Sequence, residues 1–128
     1  MIHITVPTIP PSANELRRKY RNPFAYRRMR QQWEHALAYG VLCARHRREL
    51  IEQAKAGKRM RVEIAVYHRG TFDEDNMVAA LKPILDGLKN VGYIQDDSAP
   101  FLDLVLPVKQ WKSAEKKTVI KIGVANGN

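Results

Sequence analysis

From Met60 to Tyr67 the chain alternates without a break. Met60, Val62, Ile64 and Val66 are the apolar set, and Arg61, Glu63, Ala65 and Tyr67 fall between them. A period of two places one set on each face of a strand, so this segment is half-buried and something must cover its apolar side. The segments flanking it supply the cover. Between about Tyr26 and Lys55, residues Met29, Trp33, Leu37, Val41, Ala44 and Ile51 recur at helical spacing, and Gly57 is a stop signal. Gly40 and a break in the pattern near Arg45 leave open whether this is one helix or two. Beyond the strand, which Gly70 ends, the stripe Met77, Leu81, Ile84, Leu85 and Leu88 predicts a helix over 76–90. Asp75 or Asn76 serves as its N-cap, Pro83 kinks it or marks a late start, and Gly92 closes it.

The rest is short strands and loops. Residues 2–6 alternate as a strand, 7–14 hold three prolines and form a loop, and 15–23 are basic and irregular with a turn at Asn22-Pro23. Residues 101–109 and 117–125 read as two strands joined by a polar turn near Ser113. The order β-α-β-α-β-β predicts an α/β fold of the α+β type: a two-layer sandwich with a mixed four-stranded sheet and helices on one face. With 128 residues, 45% of them hydrophobic, the chain suffices for one core and one domain, residues 1–128.

Charge narrows the function. Lys and Arg number 22 against 13 acids, a net charge of +9, which favours a polyanionic partner. No apolar run approaches the roughly 18 residues of a membrane span, and the N-terminus lacks the pattern of a signal peptide. The expectation is a cytoplasmic protein with no membrane partner. Cys43, the only cysteine, has no partner for an internal disulfide and reads as a core residue. Cys43 and His46 have no second pair to complete a zinc site.

Against this basic background lies an acidic island. Residues 73 to 103 carry seven acids (Asp73, Glu74, Asp75, Asp86, Asp96, Asp97 and Asp103) and two bases, Lys82 and Lys89. If the backbone is extended there, Asp73 and Asp75 project together and Glu74 turns away. Two aligned carboxylates make half of a Mg²⁺ site, and Asp96 or Asp97 is the obvious third donor. Such a site activates water and neutralises charge on a scissile phosphate. The same residues also serve as ordinary helix caps and turn residues. Lys82 can orient a phosphate or pair with Asp86 four residues on, or simply be solvated.

Three motifs taken in order resemble the RusA family of Holliday junction resolvases, the prophage-type crossover junction endodeoxyribonucleases. They are Pro10-Pro11-Ser12-Ala13-Asn14, then Asp73-Glu74-Asp75-Asn76, then Lys82 through Asp86-Gly87-Leu88 to Asp96-Asp97. The resemblance implies a Mg²⁺-dependent enzyme, with Mn²⁺ substituting, that resolves four-way DNA junctions by paired symmetric nicks in recombination and repair. It implies that Asp73, Asp75 and Asp97 bind the metal and that Lys82 is the essential lysine. It also implies nicks with 5′-phosphate and 3′-hydroxyl ends, and a homodimer. Asn76 and Lys82 are six apart where the better-known spacing is three, so Lys82 falls nearly one helical turn further from the carboxylates. Trp33, Leu37 and Val41, or the strand near Val105, are candidate dimer surfaces that core packing explains equally well.

Ten basic residues fall between Arg17 and Arg48, with Tyr20, Phe24 and Tyr26 interleaved, a composition suited to phosphate contact and base stacking. The candidate DNA contacts are Asn14, Arg17, Arg18, Lys19, Arg21, Arg27 and Arg28. Arg69, just before the acidic motif, is the best placed to reach a scissile phosphate. The alternatives are a non-catalytic basic DNA-binding protein and a nuclease for other branched nucleic acids.

Overall fold

The computed structural model describes residues 1–70 and 72–125. In chain order the elements are β1 (Ile2–Val6), α1 (Ala13–Arg18), α2 (Pro23–Gly40), α3 (Ala44–Lys55), β2 (Met60–His68), α4 (Glu74–Ala80), α5 (Lys82–Val91), β3 (Leu102–Leu104), β4 (Lys109–Lys112) and β5 (Lys117–Val124). The fold is α+β, as expected, with helices packed on one face of a mixed sheet. That sheet has five strands rather than four. β5 lies between β1 and β2 and is antiparallel to both, with Ile120 opposite Ile4 on one side and Ile64 on the other. The far side of β2 carries β3 and β4, both parallel to it. They are two halves of what the sequence suggested was one strand over 101–109. Between them falls Pro107, which has no N–H to give a ladder.

Alternation in β2 survives intact: Met60, Val62, Ile64, Val66 and His68 are buried, while the residues between them lie on the open face. Ile4, Val6, Ile120 and Ile122 extend the same buried face. Over it lie Met29, Trp33 and Leu37 of α2 and Ile84 and Leu88 of α5. α2 and α5 approach closely at Gly87, where an added Cβ would sit 3.1 Å from Leu37 Cδ1. The Tyr93 hydroxyl, fully buried, donates to the Leu37 carbonyl at 3.0 Å. That carbonyl belongs to the last turn of α2, where helical partners run out.

Several expectations need correction. The long helical stretch is two helices, α2 and α3, because Val41 and Cys43 adopt extended backbone. Cys43 is exposed rather than in the core. Residues 13–18, read as the end of a loop and the start of an irregular stretch, form α1 with a complete capping box between Ser12 and Glu15. The helix expected over 76–90 is α4 followed by α5, pivoting at Leu81, whose N–H bonds back to Val78 rather than one residue further. Pro83, without an N–H, cannot bond to the Ala79 carbonyl four residues back. The N-cap of α4 is Asp73, not Asp75 or Asn76. Trp33, Leu37 and Val41 are core residues at 3%, 0% and 7% exposure, so they offer nothing to a second subunit.

Candidate active site

β2 delivers the chain to the acidic motif, and a side chain from β4 fixes it there. Gln110 Oε1 accepts from the Phe72 N–H at 2.9 Å, and Gln110 Nε2 donates to the Phe72 carbonyl at 2.9 Å. A carboxamide thus pairs with a backbone peptide as a neighbouring strand would. The buried His68 places Nε2 3.1 Å from the same Gln110 oxygen, a contact in which the ring nitrogen donates. Phe72, one residue before Asp73, is therefore tied to the sheet. Neither Gln110 nor His68 was picked out from sequence, because the partners lie 38 and 42 residues apart.

Asp73 caps α4 through its backbone: its carbonyl accepts the Met77 N–H at 2.8 Å, while its carboxylate makes no capping bond and accepts only a 3.3 Å contact from Asn76 Nδ2. Asp75 is already helical. The expected alignment of Asp73 with Asp75 assumed an extended run, which ends at Asp73. Asp73, Glu74 and Asp75 are all exposed. Glu74 and Asp75 border a shallow cleft of about 120 Å³ with Val78, Leu106, Pro107 and Gln110.

Asp97 follows α5 in the chain. It lies in the turn after Ile94, 4.0 Å from Lys89 Nζ, with Asp96 3.8 Å from the same nitrogen. Ser98 donates to Asp96 at 2.7 Å and holds that carboxyl below its ordinary range. Among the described residues, no three His, Cys, Asp or Glu side chains are grouped so as to hold a metal ion. Like charges crowded together repel, and here a lysine stands beside one of them instead. The donor chemistry of Asp73 and Asp75, exposed hard carboxylate oxygens, suits Mg²⁺. They would supply part of a coordination shell, and among the described residues no third carboxylate completes such a group with them.

Lys82 opens α5, and its ammonium bonds within a cluster of α2 and α5 side chains. Its ammonium lies 3.1 Å from Asp86 Oδ2 and 3.3 Å from the Tyr26 hydroxyl, 4.5 Å above that ring's centroid. Tyr26 donates to the same Asp86 oxygen at 2.5 Å. Burial pushes the Asp86 carboxyl up, but the Tyr26 hydroxyl and Lys82 ammonium together outweigh it and hold the pKa below its ordinary value. Burial and the Asp86 carboxylate both drive the Tyr26 hydroxyl well above the usual phenol range. Tyr26, expected to stack on bases, has its hydroxyl committed to this cluster.

The predicted DNA contacts Asn14, Arg17, Arg18, Lys19, Arg21, Arg27, Arg28 and Arg69 are all exposed. Arg17 donates to Asn14 Oδ1 at 2.6 Å, and Phe24, 74% exposed, stands at the start of α2. α1 packs against α4, which makes the basic segment a neighbour of the helix bearing Asp75. No protein-family model and no curated protein sequence matches the chain. No helix among the described residues is long and apolar enough to cross a membrane.

Proposed function

We propose that this protein is a cytoplasmic, metal-dependent endonuclease of branched DNA, a Holliday junction resolvase of the RusA type. The packing of α1 against α4 carries the reading, because it sets the helix bearing exposed Arg17 and Arg18 against the helix bearing exposed Glu74 and Asp75. A net charge of +9 would supply the attraction for DNA, and Asp73, Glu74 and Asp75 lie exposed within that basic background. Asp73 and Asp75 would hold Mg²⁺, with Asp97 as the third ligand that the resemblance implies. A bound Mg²⁺ supplies a more acidic water and neutralises charge on the phosphate. Arg17, Arg18 and Lys19 hold the backbone, and Arg69 lies a few residues before the carboxylates. A four-way junction has near two-fold symmetry, so two copies would present paired sites. With Trp33, Leu37 and Val41 in the core, the surface beyond Val105 is left for a second copy, where Leu106 and Trp111 are each 53% exposed.

The test is incubation with a synthetic mobile four-way junction, with Mg²⁺ and with EDTA. Symmetric nicking that needs Mg²⁺, and is lost in Asp75→Asn while junction binding persists, is the expected result. Intact junctions under every divalent salt would overturn it. That no three His, Cys, Asp or Glu side chains are grouped to hold a metal ion among the described residues favours a second reading, a junction-binding protein without catalysis. That protein would bind the same DNA and cut none. Flap and RNA substrates run in parallel separate a junction enzyme from a nuclease of other branched nucleic acids.

A further inference from the structure

Most surface lysines are anchored only by their own stem, but Lys82 is held on three sides. Asp86 Oδ2 and the Tyr26 hydroxyl each take one contact from its ammonium, and the Tyr26 ring lies beneath it. Tyr26 and Asp86 are bonded to each other at 2.5 Å, so the anchors are themselves fixed. They belong to α2 and α5, whose close approach at Gly87 makes the frame rigid. The Lys82 side chain nevertheless remains 62% exposed. An ammonium has three donors, and Asp86 and Tyr26 account for two. One is left for an acceptor arriving from solvent.

Resting on the nucleic-acid reading above, we infer that Tyr26 and Asp86 are positioning residues that present the Lys82 ammonium to one phosphate oxygen of the DNA backbone. Arg27 and Arg28 follow Tyr26 on α2 and are exposed. A helical Lys-to-Asp pair needs no tyrosine: at this orientation the two residues gain little from each other on a surface. Placing a tyrosine hydroxyl between them does little for a solvated pair, but it narrows the positions the ammonium can occupy. A preorganised donor then loses less freedom when the phosphate binds.

The experiment is a double-mutant cycle in junction binding, by fluorescence anisotropy at fixed salt, with thermal unfolding of each variant alongside. Lys82→Gln should weaken binding about tenfold and Tyr26→Phe about threefold, in the range of lost charge-assisted hydrogen bonds. The double variant should be no weaker than Lys82→Gln alone, because the tyrosine acts through the lysine. A merely structural tyrosine would instead weaken binding equally in both backgrounds, whatever its effect on the melting temperature. Wild-type affinity in Tyr26→Phe, or an undiminished loss in the Lys82→Gln background, overturns the inference while leaving the nucleic-acid reading standing. Failure of the wild-type protein to bind any junction overturns both.

Discussion

The Tyr26 hydroxyl and the Asp86 carboxylate perturb each other in opposite senses, and the pair therefore has a pH window. Asp86 is depressed from 3.8, so its stabilising contribution is complete above that value and disappears as pH falls through the lower folded pKa. Tyr26 is raised from 10.0, so its contribution is complete below that value and is lost as pH rises beyond it. The stability difference between wild type and Tyr26→Phe should then be widest between about pH 4 and pH 10 and should shrink on either side. Urea unfolding of the two proteins across that range measures it, and a difference indifferent to pH would count against the hydrogen bond. At this scale the sequence was legible for charge and opaque for partnership. Asp73, Asp75 and Lys82 are conspicuous from spacing, and the Lys82–Asp86 pair follows from helical geometry. That Tyr26 should complete it required knowing how α2 lies on α5, sixty residues away in the chain.

Helix ends show the same division between local and distant causes. Gly57 and Gly92, at φ of +81° and +87°, end their helices where the sequence places them, because a left-handed residue at a helix end is a local demand that glycine meets. The capping box of α1 was equally local, Ser12 followed three residues on by Glu15, and went unread beneath the prolines and basic residues around it. Removing the cap with Ser12→Ala should cost about 1 kcal/mol. In a helix of only six residues that loss would loosen Asn14 and Arg17, and amide exchange across residues 13–18 would register it. The C-terminus of α2 is capped from afar, by the Tyr93 hydroxyl on Leu37, and no sequence pattern reveals it. Tyr93→Phe leaves a buried carbonyl short of its partner, with an expected loss of about 1–3 kcal/mol in chemical unfolding. Junction binding should be unchanged. An equally stable Tyr93→Phe protein would mean that water or backbone relaxation satisfies the carbonyl.

On the scale of the whole molecule, local patterns proposed the strands but could not order them. β5, near the end of the chain, inserts between β1 and β2, so β1 joins the sheet through pairings spanning more than a hundred residues. Tertiary packing likewise sets α1, whose last turn carries Arg17 and Arg18, against α4. If DNA lies across α1, affinity is dominated by the release of counterions from phosphates, and the logarithm of the binding constant falls linearly with that of salt. Each phosphate-contacting base contributes about one unit to the slope. Changing Arg17, Arg18, Lys19 and Arg21 together to Gln should therefore flatten the slope by up to about four. Any cleavage that remains at low salt should keep the same Mg²⁺ requirement, because none of the four touches the carboxylates in the structure. An unchanged slope would remove α1 from the DNA path, and with it the argument that the helix packing brings substrate to Asp73 and Asp75.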